Sequence, residues 1–308
     1  MKNLLGYACI NMTLSSGSNK DKVFTSRGMV KKTFVQKGKD YASELALQNC
    51  LDLKKILMWN AKNDIKFFRI SSEIFPWSSE YEIESLKDFH RIEEVLFDCG
   101  LFIEENGMRV TSHPGPFNKL ASFDERISSN TIKELNDHAI VHDLLCLERS
   151  TFSKINIHVG AIYDNSKQKT CDNFCRNFEK LSDSAKLRLT VENDDKPSLY
   201  SALDLKTLIS DKIGVPVVFD YHHHKFCNSG QSEEEALTLS LDTWGKVKPV
   251  VHYSQSRSEE YGDSKIKENA HSDSYWEPIN FYGKHFDVML EAKHKELALF
   301  KMRELLNN

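Results

Sequence analysis

The amino-acid sequence predicts an α/β fold, a closed (β/α)8 TIM barrel. Short apolar segments rich in β-branched and aromatic residues alternate with longer stretches of helical period along the whole chain. Strands of this length separated by helices form parallel sheets, because a parallel crossover needs a long connection. Eight such units within 308 residues fit one closed barrel. No internal repeat, low-complexity tract or linker divides the chain, so a single domain is expected over residues 1–308.

The strands are expected at residues 4–10, 66–70, 108–112, 154–159, 187–192, 215–220, 249–252 and 286–290. Helices are expected at residues 43–59, 84–99, 127–145, 172–181, 204–210, 233–242 and 292–306. Two polar segments, 15–40 and 254–282, have few periodic positions. We expect them to be long loops over the mouth of the barrel, the first with some strand or helix of its own, where loops of this kind usually carry function.

Composition limits the class of protein. The hydrophobic fraction of 40% is enough for a full core, and the net charge of -4 lacks the basic character typical of nucleic-acid binders, although a local patch can still bind DNA. Seven scattered cysteines form no CxxC pair, which favours a reducing compartment, either cytoplasmic or nuclear. No segment has the ~20 apolar residues of a membrane span or resembles a signal peptide, so a soluble protein without a membrane partner is expected.

Six consecutive predicted strands end in a histidine or an acidic residue. In chain order these residues are His113, His158, Glu192, Asp220, His252 and Glu291. One histidine at a strand end is usually only a hydrogen-bonded structural residue, and one acid is often a helix cap. Six at the same rim of one barrel are expensive to bury unless a cation compensates their charge. The pattern therefore predicts a metal cluster at the C-terminal face.

The ligand types narrow the choice of metal. A mixture of imidazole and carboxylate without cysteine suits zinc, manganese or iron and disfavours calcium. So many ligands exceed the need of one ion, and Glu192 and Glu291 are candidates to bridge two ions. Asp220 and His223 lie three residues apart and could serve neighbouring ions. Paired divalent ions activate water and stabilise the oxygens of a phosphoryl displacement, which predicts a phosphodiester-cleaving enzyme.

Several motifs identify a family. In chain order they are GYACINMTL, FRISSEIFPW, HPG, IHVG, VENDD, VFDYHHH, HYS, AHSDSY and DVMLEAK, and they run from Gly6 to about Glu296. Together they resemble the UV damage endonucleases, which are related to the apurinic endonucleases of the endonuclease IV type. The resemblance implies a metal-dependent DNA repair enzyme. Such an enzyme nicks damaged double-stranded DNA 5′ to UV photoproducts and other lesions, leaving a 3′-hydroxyl.

The resemblance also implies roles for individual residues. His113 and His158 would hold one ion with Glu192 bridging to a second, which Asp220, His252 and Glu291 would complete. His223 and His271 would hold a third ion. The expected cofactors are therefore three divalent ions, with manganese first and zinc second. The catalytic residues would be Glu192, Glu291 and His252, in an enzyme that acts as a monomer.

Four residues fall where the family contacts DNA near the lesion: Tyr7, Asn11, Pro116 and Phe117. The last two depart from the Gln-Tyr pair that usually follows HPG. Phe117 keeps an aromatic ring that can wedge between bases, whereas Pro116 has no side-chain donor or acceptor. In a second departure, many members have a lysine, which can be carboxylated, two residues before the seventh-strand histidine. Here that position is Val250, with Lys248 two residues further back.

Three alternatives remain open from the sequence. The chain could be a general apurinic endonuclease or a sugar isomerase of the same barrel superfamily, which uses similar ligands in a small closed pocket. It could also be a non-catalytic module that binds damaged DNA and keeps its metals for stability. The altered Pro116–Phe117 pair favours the first, whereas the full set of eight presumed ligands disfavours the last.

Overall fold

The computed structural model describes residues 3–18 and 21–307. Every predicted strand is present, although all but the seventh, which is shifted by one residue, are shorter than the sequence pattern predicts. Within the described residues the strands are β1 (Leu5–Ala8), β2 (Phe67–Arg69), β3 (Arg109–Thr111), β4 (Ile155–Ile157), β5 (Leu189–Glu192), β6 (Val217–Val218), β7 (Val250–Tyr253) and β8 (Asp287–Leu290). The pattern overestimates length because residues at a strand end stay apolar after regular ladder pairing has stopped.

All strand pairs are parallel, and they close into a ring. One sheet has the order β3-β2-β1-β8-β7, and the other has the order β4-β5-β6. A parallel bridge between Ser112 and Ile155 joins β3 to β4, and a second between Asp220 and His252 joins β6 to β7. The register of β1 against β8 pairs Gly6 with Met289. The predicted (β/α)8 barrel is therefore confirmed.

Helices cover the outside of this ring. Their bounds are α1 (Met12–Ser15), α2 (Lys31–Lys62), α3 (Phe89–Glu105), α4 (Glu125–Leu144), α5 (Lys167–Phe178), α6 (Asp183–Lys186), α7 (Ala202–Leu205), α8 (Asp211–Ile213), α9 (Tyr221–His224), α10 (Glu233–Leu241), α11 (Arg257–Tyr261) and α12 (Lys295–Asn307). In α3 the buried residues Ile92, Leu96, Cys99 and Ile103 recur every three or four positions, which is the periodicity of one apolar helix face. That face packs against the barrel.

The interior of the barrel is layered. Below the rim, Ala8, Phe67, Val218, Val250 and Met289 form an apolar layer with Trp244. Beneath it, Arg109 and Lys248 both pair with the buried carboxylate of Asp287, at 2.9 and 2.6 Å. Lys248 therefore lies at the bottom of the barrel, on the far side of the apolar layer from the strand ends.

The two long polar segments differ in how well the sequence predicts them. In the first, α2 begins at Lys31 and supplies the helix that a loop with some regular structure of its own allows, although the sequence did not place it; Gly38 interrupts it with φ 66° and ψ −165°. That glycine conformation breaks the helical period, which explains why the pattern is hard to read. The second segment holds the short helix α11 and a bridge between Ser256 and His271.

Two further features concern the cysteines and the helices. Each of the seven cysteines, all within the described residues, is a free thiol. No helix in residues 3–18 and 21–307 is long and apolar enough to cross a membrane.

Candidate metal centre

The strand ends bring the predicted ligands to one rim. Glu192 is the last residue of β5, His252 lies within β7, and Glu291 directly follows β8. His158 directly follows β4, and His113 follows β3 by two residues. The carboxyl ends of parallel strands share one edge of the barrel, so these side chains converge without any local adjustment.

Asp220 and His223 are placed by a helix cap. Asp220 follows β6, and its Oδ1 accepts a hydrogen bond from the backbone N–H of His223 at 2.7 Å, which caps the short helix α9. Asn193 holds the same residue from β5: its Oδ1 accepts from the N–H of Asp220 at 2.7 Å. The cap leaves the second carboxylate oxygen of Asp220 buried and without a hydrogen-bond partner.

Three groups of ligand atoms form among the described residues, each with its atoms within 4.8 Å of one another. The groups are His113 with His158 and Glu192, then Glu192 with Asp220 and His223, and then Asp220 with His252 and Glu291. The first and third match the ligand sets that the family resemblance implies. Tetrahedral or octahedral ions at ~2.0–2.2 Å from their ligands fit atoms spaced in this way.

Glu192 and Asp220 each belong to two groups, so they are the carboxylates placed to bridge ions. The sequence predicts Glu192 and Glu291 for this role. Asp220 rather than Glu291 is shared by two groups, because the bridge between Asp220 and His252 sets it between the strand of Glu192 and the strand of Glu291, and which carboxylates bridge ions stays a prediction. Glu291 is instead held on its other side by the guanidinium of Arg69.

His271 stands apart from the three groups of the described chain. Its Nδ1 lies 3.2 Å from the backbone oxygen of Glu291 and 3.7 Å from a carboxylate oxygen of the same residue. Its ring centre is 5.9 Å from that of His223. His271 comes from the long loop 254–282 rather than a strand end, and its place as a ligand of a third ion stays a prediction.

The buried carboxylates and imidazoles of the site shift each other's pKa values. Burial opposes ionisation of Glu192, but the imidazoles of His252 and His158 outweigh it and hold the pKa of Glu192 well below its usual range. Burial likewise lowers the pKa of His158, yet Glu192 and Asp194 together raise it to about 9. Burial alone dominates at Asp220, whose pKa rises to about 6.

Unsatisfied buried atoms indicate that a cation fits here. The Nδ1 of His252 and the Oδ2 of Asp220 are buried without a hydrogen bond. Yet the Nδ1 of His252 lies 3.0 Å from Glu192 Oε2 and 3.2 Å from Glu291 Oε1. Lone pairs of His252, Asp220 and Glu291 that lie this close together without hydrogen bonds are costly unless an ion accepts them. The donor set is that of zinc, manganese or iron.

Sequence reasoning missed several residues that support the ligands. Arg69, at the end of β2, pairs with Glu291, and Asp194 Oδ1 lies 3.3 Å from Nδ1 of His158. Asn156 donates to Glu192 and accepts from the hydroxyl of Thr190 at 2.7 Å. Such partners orient metal ligands and tune their basicity. Asn156 and His158 are two positions apart on β4, so strand alternation could have found Asn156 on the same face.

The predicted DNA-contacting residues divide into two pairs. Phe117 is 89% exposed and Pro116 is exposed beside it, in the loop after β3. Tyr7 and Asn11 are fully buried: Asn11 Nδ2 donates to the Tyr7 hydroxyl at 2.8 Å, and that hydroxyl donates to Asn60 at 2.7 Å. Their contact with DNA stays a prediction, and in the DNA-free chain it needs a rearrangement.

Comparison with known proteins places these features in context. The family model "UV-endonuclease UvdE" matches residues 3–308. The chain is 34% identical over 311 residues to the UV DNA damage endonuclease of Clostridium perfringens, covering 96% of this chain and 69% of that protein. Among solved structures, SacUVDE superposes with a TM-score of 0.84 at 31% identity, covering 99% and 98% of the two chains. Endonuclease IV from Thermus thermophilus shares the fold alone, with a TM-score of 0.54 at 15% identity over 83% and 92%.

Proposed function

Because this chain belongs to the UV-endonuclease UvdE family, we propose that it is a metal-dependent DNA repair endonuclease that nicks one strand 5′ to UV photoproducts and other lesions. The observation that carries the proposal is the set of three ligand groups linked by Glu192 and Asp220. A chain of neighbouring cation positions is the arrangement that phosphodiester hydrolysis uses to act on both the attacking and the leaving oxygen.

The cofactors would be three divalent ions, one in each ligand group, with manganese preferred over zinc. When bound, such ions lower the pKa of water and offset negative charge on phosphate oxygens. His113 and His158 would hold the first with Glu192, and His252 and Glu291 would hold another with Asp220. His223, with His271 beside it, would complete the set. Metal analysis of the purified protein would give both the identity and the number of ions.

The protein's own side chains would keep this charge in place. Arg69 fixes Glu291, and Asn156 fixes Glu192, so neither carboxylate is free to turn away when DNA approaches. Lys295, at the start of α12, is partly exposed, and burial together with Arg69 lowers its pKa. The cations Arg69 and Lys295 therefore lie beside the acidic cluster, where a DNA phosphate would need counter-charge.

Recognition of damage would depend on the loop after β3. Phe117 projects its ring into solvent at the rim that carries the ligands. An exposed aromatic ring can enter a base step that a lesion has already weakened, because a distorted site costs less to unstack than intact duplex. Pro116 cannot read a base edge, so shape and deformability would decide which lesions are cut.

The decisive experiment is a nicking assay on an irradiated duplex with an end-labelled strand and added Mn²⁺. We expect cleavage immediately 5′ to the photoproduct with a 3′-hydroxyl product, and none after chelation. An undamaged duplex of the same sequence is the control. Equal cleavage of both duplexes, or of neither, would refute the lesion-specific function.

A general apurinic endonuclease is the second candidate, and the Pro116–Phe117 pair favours it. The same assay separates the two functions when a duplex with a single abasic site is included. Cleavage of the abasic duplex without cleavage of the irradiated one would support the second candidate. We further propose that the chain acts as one barrel domain and as a monomer on DNA, which sedimentation of the protein–duplex complex would test.

A further inference from the structure

One buried basic side chain beneath the rim lacks the kind of partner that its counterparts have. Arg109 pairs with Asp287 at 2.9 Å, Arg188 pairs with Asp143 at 2.9 Å, and Arg69 pairs with Glu291. Lys154 is equally inaccessible to solvent, but the only hydrogen-bond partner of its amine within the described residues is a histidine. Burying an ammonium group without a paired carboxylate is costly, so a specific contact has to account for it.

That contact is with a residue of the candidate metal centre. Nζ of Lys154 lies 3.0 Å from Nε2 of His252. The opposite ring atom, Nδ1, faces Glu192 and Glu291 at 3.0 and 3.2 Å and has no hydrogen bond. The imidazole of His252 is therefore held from below by an amine and presents its free nitrogen to the cluster above.

A histidine that binds a metal usually makes a hydrogen bond through its other ring nitrogen, most often to a carboxylate, a carbonyl or a water, and this fixes the ring. A carboxylate would be unfavourable below His252, because Glu192, Asp220 and Glu291 already crowd the rim with negative charge. The uncharged amine of Lys154 can accept the hydrogen bond of the Nε2–H group of His252 in the same way, which leaves the lone pair of the ring on Nδ1, and it adds no negative charge.

We infer that Lys154 is a positioning residue, which fixes the ring of His252 so that Nδ1 faces the metal centre. The inference rests on the proposed function, since it gives His252 the role of a ligand. Lys154 precedes β4 and stands two and four positions before Asn156 and His158, so all three face the interior. One strand thus supplies a ligand, a support for Glu192 and a support for His252.

The test is the variant Lys154→Met, which keeps the length of the side chain and removes its hydrogen bond. Mn²⁺ is titrated into the metal-free full-length protein, and the free ion is followed by its electron paramagnetic resonance signal. We expect one class of site to weaken by about 10- to 100-fold, the usual effect of losing a ligand's supporting contact. Met289→Leu, in the apolar layer inside the barrel, is the matched control and should bind Mn²⁺ like the parent protein.

The metal-free proteins are also melted, which separates a positioning role from a merely structural one. We expect Lys154→Met to melt at or above the parent temperature, because a buried amine is replaced by an apolar group. Mn²⁺ affinity within twofold of the parent's would overturn the inference. If the parent itself binds no Mn²⁺, the proposed function fails instead. Should Lys154→Met not fold, Lys154→Leu, which also lacks a donor or acceptor, is titrated in the same way and judged by the same outcomes.

Discussion

Glu192 is the residue on which the candidate metal centre depends most. Four imidazoles lie within 3.6 Å of its two oxygens: those of His113, His158, His223 and His252. No other described residue combines a place in two ligand groups with contacts to so many rings. A change at this position should therefore affect more than one ion.

The variant Glu192→Gln tests this directly, because it keeps the shape of the side chain and removes its charge. We expect metal affinity to fall by at least about a hundredfold, a lower bound set by the smaller effects of supporting residues. Nicking of irradiated DNA should fall with it. Metal content and nicking rate are measured together. Glu104→Gln, on the exposed face of α3, is the control and should change neither. Full nicking by Glu192→Gln would show that the site is assigned incorrectly.

Phe117→Ala tests the exposed wedge. Loss of one stacking contact with a base costs about 1–3 kcal/mol, so affinity for irradiated duplex should fall by about 5- to 150-fold. Fold and metal content should stay unchanged, because the ring touches nothing that the barrel needs. Phe97→Ala removes a half-exposed aromatic ring from α3 and serves as the control. Fluorescence anisotropy with labelled damaged and undamaged duplexes gives both affinities, and a Phe117→Ala affinity equal to the parent's would exclude the wedge.

At this scale the sequence predicts well which strand-end residues come together and predicts poorly which residues support them. Strand-end residues such as His158 and Glu291 can be read because a barrel sends all strand ends to one rim. Lys154 and Asp194 cannot be read in the same way, since their roles depend on side-chain direction across the barrel or within a turn. The lysine looks like an ordinary polar residue before a strand until the contact with His252 is known.

Among the elements, α2 carries the most informative departure from the predicted pattern. Its first turns, before Gly38, hold Lys31, Lys32 and Lys37, all exposed and without an ion pair among the described residues. Phe34 anchors these turns by stacking on Trp77, with ring centres 5.4 Å apart, in the loop after β2. A basic helical segment is thus fixed to the rim side of the barrel in an otherwise acidic protein.

The double variant Lys31→Glu and Lys32→Glu should weaken binding to damaged and undamaged duplexes alike. Contacts to phosphate add affinity without sequence or lesion preference. Each lost contact reduces the steepness of the plot of log K against log salt concentration by about 0.9. Affinity is measured across a series of salt concentrations. Lys62→Glu, at the far end of α2, is the control. An unchanged salt slope in the double variant would show that Lys31 and Lys32 do not contact the phosphates of the duplex.

Strands were predictable here because parallel barrel strands are buried on both faces and stand out as apolar runs. The start of α2 was not, because a glycine with φ 66° separates a short basic stretch from the apolar face that follows. His271 was placed by family motif alone, and its loop has no periodicity from which a position could be derived.

For the whole molecule, stability should depend on pH through a histidine away from the metal centre. Burial, reinforced by Arg188, lowers the pKa of His142 from 6.5 to about 3, and its Nδ1 contacts the backbone oxygen of Ser153. The pKa of His142 is lower in the folded chain than in the unfolded one, so protonation favours the unfolded chain. The contribution of neutral His142 to the free energy of unfolding is therefore full above about pH 6.5 and is lost as pH falls towards 3.

The expected loss from His142 between pH 7 and pH 5 is about 2 kcal/mol of unfolding free energy. His142→Gln removes the titrating group and keeps an amide that can reach the oxygen of Ser153. Urea unfolding of the metal-free parent and variant at both pH values gives the difference. The variant should lose about 2 kcal/mol less than the parent, and an identical pH dependence would contradict the assignment.

Divalent ions should stabilise the whole barrel. The carboxylates of Glu192, Asp220 and Glu291 lie together at one rim only in the folded chain. An ion that binds only the folded chain stabilises it by about 2.7 kcal/mol when the free ion concentration is a hundred times the dissociation constant. Thermal unfolding with Mn²⁺ should therefore occur at a higher temperature than unfolding with a chelator. An unfolding temperature that does not respond to Mn²⁺ would argue against ions at these groups.

The distribution of ligands over the strands also fixes an order of assembly. The first group is complete within residues 113–192 and lies at the ends of three consecutive strands, whereas the third needs residue 291 after the last strand. That strand is held at the seam by β1, and Glu296 just beyond it accepts hydrogen bonds from the backbone N–H groups of Met12 and Thr13. During synthesis the earlier ligands emerge long before the later ones, so a nascent chain cannot complete the third group until its two ends have met. An ion bound by that group would thus report that the ring has closed.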